Sequence, residues 1–466
     1  MESFDYQSQF EKVKKDIAEA FTKALDVQAE QTGLRLRAKE VWVDDSADPG
    51  DAEGQREAVR KDKTWGVPVY ANLELTDRKT GKVISTQKRM KIATLPKATN
   101  FGSFIVDGKH YQVQSQLRRK PGIYVTEKKN GETKAEINVA GRAFDVEFNP
   151  ASTVFRLARR AGGAEDKSGP ALYPILSAMG VADSTLARAW GDQILSANKA
   201  ASKKKANESV KKAAEYFAAD KAADLKRLRA GDTRPRFETP DEAGKALLAY
   251  FDQTELRPEV TKKTVGQAFD KVSPEAIVAS SKELIAAAAG KRAPDDRQSL
   301  EFKKIMSVSD LMRERLVKDN GEIQPFLNEY RRKILRKLNN QRQPPTQVGQ
   351  LVSSNQLSST LSSFFTQTGG HAHVPDQTNP IHMLNGMTKV TIMGEGGAGS
   401  NAQNVRAEER AVHPSQLGFI DPIHTPDSGH IGLTMHLPVG VSKRGDELET
   451  TVYDGKTKKN RKITAA

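Results

Sequence analysis

The chain of 466 residues contains no cysteine, which excludes disulfides and thiolate zinc sites and suggests a reducing interior or a chain that never needed bridges. Nor does it hold an apolar run approaching the roughly 18 residues that a bilayer span requires. The first residues, Met1, Glu2, Ser3, Phe4 and Asp5, lack the basic-then-apolar pattern of an export signal. A soluble, unexported, cytoplasmic chain is therefore expected. No internal repeat is evident, which excludes a solenoid or propeller. Histidine is nearly missing from the first 350 residues, where His110 stands alone; His371, His373, His382, His413, His424, His430 and His436 follow in the last quarter.

With 37% hydrophobic and 28% charged residues, the composition is that of a globular protein, and the length calls for roughly two to four compact units. The net charge of +14 attracts polyanions. From Leu351 to the C-terminus ten Lys and Arg face ten Asp and Glu, so the whole surplus lies in the first 350 residues. A basic front and a neutral, glycine-rich back suggest two tasks, holding a phosphate backbone and shaping a pocket. The plainer alternative is a surface charge that only confers solubility.

Along the chain, Phe10, Val13, Ile17, Phe21 and Leu25 recur at helical spacing and predict an amphipathic helix within residues 4–31. Asp44 to Lys63, with Pro49 and Gly50, reads as a polar loop. Short alternating strands are expected from Val67 to Phe148, divided by turn signals at Asp77 to Gly81, Asp107 and Gly108, Lys129 to Gly131, and Gly141. The glycine-rich stretch from Ala158 to Pro170 marks a joint. Ala171 to about Ala289 reads as mostly helical, with Val210, Phe217, Leu225 and Leu228 on one stripe; the run Lys203, Lys204 and Lys205 is taken as a solvated helix face. Asp295 to Leu316 resumes a helical pattern. Arg331 to Arg342 is dense in basic residues before the break at Pro344 and Pro345. Beyond it, loops packed on a rigid frame are expected, ending in a polar basic tail with Lys456, Lys458, Lys459, Arg461 and Lys462. The fold class is mixed α+β and multidomain.

Among constellations that carry chemistry, His371 and His373 form an H-x-H pair that would suit zinc in a metal-dependent hydrolase, but no third ligand is fixed by the sequence. Loop histidines beside a phosphate path are the simpler interpretation. Gly394 to Gly399 (GEGGAG) lacks the Lys and Ser or Thr of a Walker loop, and Ser400, Asn401, Ala402 and Gln403 follow instead. Its glycines are expected to let the loop approach another backbone closely. The acidic cluster that binds two magnesium ions in nucleic-acid polymerases is absent, so no catalytic or metal-binding residue is assigned to this chain.

Three blocks resemble the β subunit of bacterial-type multisubunit DNA-directed RNA polymerase, in the family's order. Gly102 to Val125 (GSFIVDGKHYQVQSQLRRKPGIYV) with Val146 to Pro150 is similar to a strand-rich region with an SQL-x-R-x-PG core at Ser115, Gln116, Leu117, Arg119, Pro121 and Gly122. Asp295 to Leu311 (DDRQSLEFKKIMSVSDL) is similar to a DD-x3-L segment ending in SV. Leu351 to Phe365, Asp376 to Pro380 (DQTNP), Gly394 to Gly397 and His413 to Leu433 (HPSQLGFIDPIHTPDSGHIGL) resemble a block whose last piece reads close to PIETPEGPNIGL in the family. Residues 1–100 and 181–290 match by position only.

The resemblance implies a protrusion over 1–157, a lobe over 158–292, a protrusion return with the RNA-channel segment over 293–390, and a fork loop with the start of the active-site-facing core over 391–466. Gln116, Arg119, Asp376, Gln377 and Lys389 would line the nascent-RNA channel, which in bacteria is also the rifamycin pocket. Arg406 and Arg410 would serve the fork, and Asp427 and His430 would face the RNA end and substrate. Such cations position phosphates without reading bases. Magnesium ions would be held by a β′-like partner. Further partners implied are a C-terminal β half, template DNA, RNA transcript, nucleoside triphosphates and a promoter-specificity factor, with no membrane. The family's later lysine-bearing blocks do not occur before residue 466, so the chain resembles the split β subunits of giant bacteriophages; a host-cytoplasmic or virion-packaged enzyme suits this, and a fragment of a longer chain would read the same. Departures at the substrate-facing positions are His430 and Asp427 for the family's asparagine and glutamate; Gly386 for a pocket histidine, Lys389 for an arginine, and His371, Ala372, His373, Val374 and Pro375 in place of QLSQFM predict rifamycin resistance. A DNA-binding or scaffolding protein descended from the same fold is the alternative.

Overall fold

The computed structural model describes residues 6–46, 50–78, 80–128, 130–139, 143–161, 164–165, 169–203, 205–219, 237, 239–317, 323–367, 371–399, 401–426 and 429–465. It is mixed α+β and divides into two compact units, residues Met1–Arg118 with Lys303–Ala466, and residues Arg119–Phe302. The second unit is inserted into the first.

The opening helix α1 (Tyr6–Leu25) buries Val13, Ile17, Ala20, Phe21, Ala24 and Leu25, the stripe that 3.6-residue periodicity places on one face. It packs on an antiparallel sheet of β1 (Val27–Gln28), β2 (Leu34–Val43), β3 (Gly66–Asp77) and β4 (Val83–Pro96). Strict alternation in β3 turns Val67, Val69, Ala71, Leu73 and Leu75 inward. The expected loop before it holds a helix, α2 (Ala52–Arg60). Its N-cap Asp51 accepts from Glu53 N at 3.0 Å, and Ala58 is buried with Trp65 and Ile105. Proline and glycine just upstream masked a helix that tertiary contact stabilises. Short strands β5 (Phe104–Val106), β6 (Lys109–Val113) and β7 (Ser115–Arg119) follow, with the turn at Asp107 and Gly108 in left-handed backbone (φ 47° and 75°).

The inserted unit is a five-stranded antiparallel sheet covered by helices. Its strands β8 (Gly122–Glu127), β9 (Thr133–Asn138), β10 (Phe144–Asn149), β11 (Val154–Ala161) and β12 (Ala164–Glu165) lie in sequential order. One face carries Ile123, Val125, Ala135, Ile137, Phe144, Val146 and Phe155 against helices α3 (Leu172–Ala178), α4 (Asp183–Trp190), α5 (Asp192–Ser202), α6 (Ala206–Ala219), α7 (Pro240–Phe251), α8 (Pro258–Val265) and α9 (Pro274–Ala288). Helices α7 and α9 start on N-caps Thr239 and Ser273, each followed by proline. Val210 and Phe217 are buried as the stripe predicts; Leu225, Leu228 and Lys204 lie outside the described residues. The glycine-rich joint at 158–170 is not where the units part. The apolar face of β8–β11 needs the helices to leave water, so the boundary falls before β8, at Arg118 and Arg119.

The return opens with a 3-10 turn (Leu300–Phe302) and strand β13 (Lys303–Met306) before helix α10 (Val308–Leu316), where the sequence pattern predicts continuous helix. Pairing of β13 with β7 overrides local propensity there. Helices α11 (Pro325–Leu338), α12 (Ser358–Thr366), α13 (Pro380–Met387) and α14 (Ala407–Arg410) follow, interleaved with strands β14 (Ala372–His373), β15 (Lys389–Thr391) and β16 (Thr434–His436). The basic tail is not a loop. Strands β17 (Ser442–Arg444), β18 (Glu447–Asp454) and β19 (Lys459–Thr464) form an antiparallel sheet, held by backbone pairing with no apolar alternation in β19 to announce it. No helix among the described residues is long and apolar enough to cross a membrane.

Candidate nucleic-acid interface

A four-stranded sheet in the order β13, β7, β15, β16 gathers segments remote in sequence. Strand β15 runs parallel to β7, with Val390 opposite Ser115 and Thr391 opposite Gln116, and antiparallel to β16, with Lys389 opposite His436. Gln116 and Lys389 are thereby brought onto neighbouring strands. The chain leaving β15 makes the 394–399 loop, and the chain entering β16 carries His430; Ile392 N and Thr391 Oγ1 both donate to Leu433 O, at 3.0 and 3.2 Å.

The loop is held from beneath. Gln116, fully buried, donates through Nε2 to Met393 O at 2.6 Å. Arg118, 4% exposed, donates to the Gln116 carboxamide oxygen, to Glu314 Oε1 at 2.8 Å and to Glu395 O at 2.9 Å. Inside the loop, Gly397 N donates to Gly394 O at 3.0 Å and Ala398 N to Ile392 O at 2.8 Å. Side chains are barred from the contact: a Cβ at Gly397 would lie 2.4 Å from Ile392 O, and one at Gly396 (φ +77°) 2.6 Å from Arg118 Nη1. The glycines thus serve close approach, to backbone and to a buried guanidinium. Sequence reasoning missed Arg118 because it occupies the unspecified position of the SQL-x-R pattern.

Gln116 therefore braces the loop, with its side chain buried. Arg119 belongs to the other unit and its side chain is largely buried. Its Nη1 meets Glu136 Oε2 at 3.0 Å, while Arg297 and Lys134 reach the other oxygen of Glu136 at 2.8 and 3.2 Å. Glu136 and Asp145 are direct cross-strand neighbours, and two buried carboxylates side by side require these cations. The guanidinium of Arg119 is thus engaged by a carboxylate of its own unit. Arg410 is likewise engaged, donating to Ile431 O at 3.0 Å and Gly429 O at 3.2 Å, so that it shapes the segment containing His430. Arg406 and His430 are exposed, and Lys389 is half-buried. Asp427 lies outside the described residues.

Asp376 and Gln377 are exposed ahead of α13. Hydrogen bonds from the Thr378 side chain and backbone, then from His382 at 3.0 Å, hold the Asp376 carboxyl down at about 2. Three histidines of this region are shifted away from the charged form. Burial, then the Arg118 charge, pushes His371 down to about 4; burial, then Lys389, does the same for His373. Burial also lowers His436, whose ring stacks on His424 at 3.7 Å. His371 and His373 are neutral at pH 7. Among the described residues no group of three or more His, Asp or Glu is placed to hold a metal ion. At Gly386 a Cβ would fall 2.2 Å from Gln112 Oε1; Gln112, bonded to Met383 O at 2.6 Å, fills the space a larger residue there would need.

Residues 373–441 match the family model described as RNA polymerase Rpb2, domain 3. Over longer stretches the chain is similar to the DNA-directed RNA polymerase subunit beta of Gloeobacter violaceus, 24% identical over 397 residues covering 81% of this chain and 32% of that one. It is similar also to that of Thermus thermophilus, 25% identical with 84% and 34% covered, and of Thermus aquaticus, 24% identical with 90% and 39% covered. The chain spans about a third of the length of these curated relatives.

Proposed function

From the premise that this chain is a relative of the N-terminal portion of the DNA-directed RNA polymerase β subunit, we propose that it works as a structural, active-site-lining part of a multisubunit RNA polymerase and makes no RNA alone. The observation that carries this is the convergence of the SQLRR strand, Lys389, the glycine loop and the His430 segment on one sheet. Family-like blocks separated by some 270 residues become neighbouring strands. Buried Gln116 and Arg118 fix the loop, while Arg406, Asp376, Gln377 and His430 are exposed and Lys389 is half-buried.

In this reading Asp376, Gln377 and Lys389 flank the transcript, Arg406 and the loop face the parting strands, and Asp427 and His430 approach substrate. Arg119 and Arg410 act by positioning their own segments. In the same reading nucleotidyl transfer draws its metal ligands from a β′-like partner. A C-terminal β half, supplied by another chain or by a longer form of this one, provides the remaining substrate contacts; a promoter factor and a phage setting complete the picture. Isolation of the native complex and identification of each chain by mass tests this: a β′-like companion is expected, and templated RNA synthesis by the purified chain alone would defeat the proposal. The assembled enzyme is expected to withstand low-micromolar rifamycin. A DNA-binding scaffold is the second reading, favoured by His430 and by the internal engagement of Arg410.

A further inference from the structure

Helix α11 lies outside the interface described above and carries the densest positive charge among the described helices. Between residues 325 and 342 stand Arg331, Arg332, Lys333, Arg336, Lys337 and Arg342 against the single acid Glu329. Its inner face is ordinary core: Leu327, Tyr330, Ile334 and Leu338 are buried. All six cations are exposed. Three properties separate this face from a merely solvated one. Arg332 and Arg336, and Lys333 and Lys337, are like charges four residues apart, a spacing that repels and destabilises a helix. Helix α6, by contrast, pairs Glu208 with Lys212 at that spacing. Favourable interaction with the helix C-terminus accounts for Arg336 and Lys337 but not for Arg331, Arg332 and Lys333 in mid-helix. Arg331 and Arg336 have side chains with no hydrogen bond or ion pair among the described residues, while Lys333 reaches Glu329 only at 4.0 Å.

The chemistry of the face selects its ligand. No exposed large hydrophobic residue lies on α11, so it has nothing to insert into a lipid surface. Its aromatics are unavailable for stacking on unpaired bases, since Tyr330 is buried and Phe326 lies under Arg315 at 5.4 Å. What remains is a guanidinium-rich surface suited to phosphate oxygens. We propose that the outer face of α11 is a sequence-independent docking surface for the phosphate backbone of a nucleic-acid duplex, separate from the sheet that gathers Gln116 and Lys389. This does not depend on the polymerase reading, because the full chain is tested without partners.

Binding of the full-length chain to a fluorescent DNA duplex of about 30 base pairs, followed by anisotropy across a salt series, provides the test. The R331Q/R332Q/R336Q variant is expected to bind about tenfold or more weakly and to flatten the slope of log K against log salt by about two to three. The control K203Q/K245Q/K262Q removes the same charge from exposed lysines of the other unit and is expected to change both far less. Equal losses in the two variants, absence of duplex binding by the unaltered chain at low salt, or preference for a single strand over both DNA duplex and RNA–DNA hybrid would each overturn the proposal. Unchanged thermal melting of the triple variant shows that the loss is one of contact and not of folding.

Discussion

One guanidinium, that of Arg118, joins strand β7, helix α10 and the glycine loop through Gln116, Glu314 and Glu395 O. Shortening it to glutamine removes the bond to Glu395 and uncouples Gln116. Arg118→Gln is therefore expected to speed amide exchange at Gly397 and Ala398 by about tenfold or more, with the β3 core unaffected, as read by hydrogen exchange and mass spectrometry. No acceleration would show that the loop's internal bonds suffice. His371 and His373 set a pH dependence. Their folded values near 4 lie below the ordinary 6.5, so the unfolded chain binds more protons between these limits. Stability is then complete above about pH 6.5 and falls as pH drops toward 4. Calorimetry should show the melting temperature of the first unit declining over this window, and less steeply in His373→Gln.

At the scale of elements, α1 is held by its apolar stripe. Ile17 is fully buried beneath it, and Ile17→Ala is expected to cost about 2–5 kcal/mol in urea unfolding; a change under about 1 kcal/mol would mean that the helix is not integral to this core. Helix α10 is fastened differently. Its capping box pairs Ser307 with Asp310, and Asp310 also meets Lys12 Nζ at 2.7 Å and the buried Lys443. Burial alone would raise the Asp310 carboxyl, yet Lys443, with Lys12 and Ser307, keeps it well below its usual range. Asp310→Ala leaves Lys443 in the interior without this carboxylate and should cost about 3–5 kcal/mol. Lys443→Met should be milder, because Asp310 retains Lys12 and Ser307. Equal costs would deny this asymmetry.

For the whole molecule, the decisive feature is insertion. The chain departs after Arg118 and resumes at Lys303, and the two ends of the inserted unit are joined by a bond from Lys120 N to Phe302 O at 2.8 Å. Adjacent ends mean that little chain is needed to close the gap. Replacing residues 119–302 by about four Gly and Ser residues is expected to leave a cooperatively melting first unit. The excised unit, with its own core, should melt cooperatively too. Loss of secondary structure in either piece, seen by circular dichroism, would show that its core does not stand alone.

The amphipathic stripe of α1, the alternation of β3 and the basic density of α11 are all local patterns. Each follows from residues within a turn or two of one another, and the sequence by itself determined them, together with the three family-like blocks. Pairing across hundreds of residues leaves no such mark. Only tertiary structure decided that Lys303–Met306 is a strand, that the basic tail folds into a hairpin, and that the joint falls before β8. It also decided that Gln116 and Arg119, similar in motif position to channel-lining residues, turn inward while Arg406 and His430 stay exposed. The physical reason is that burial and charge pairing are settled by neighbours in space: Arg119 became internal because Glu136 and Asp145 lie side by side across two strands, a proximity that no spacing along the chain encodes.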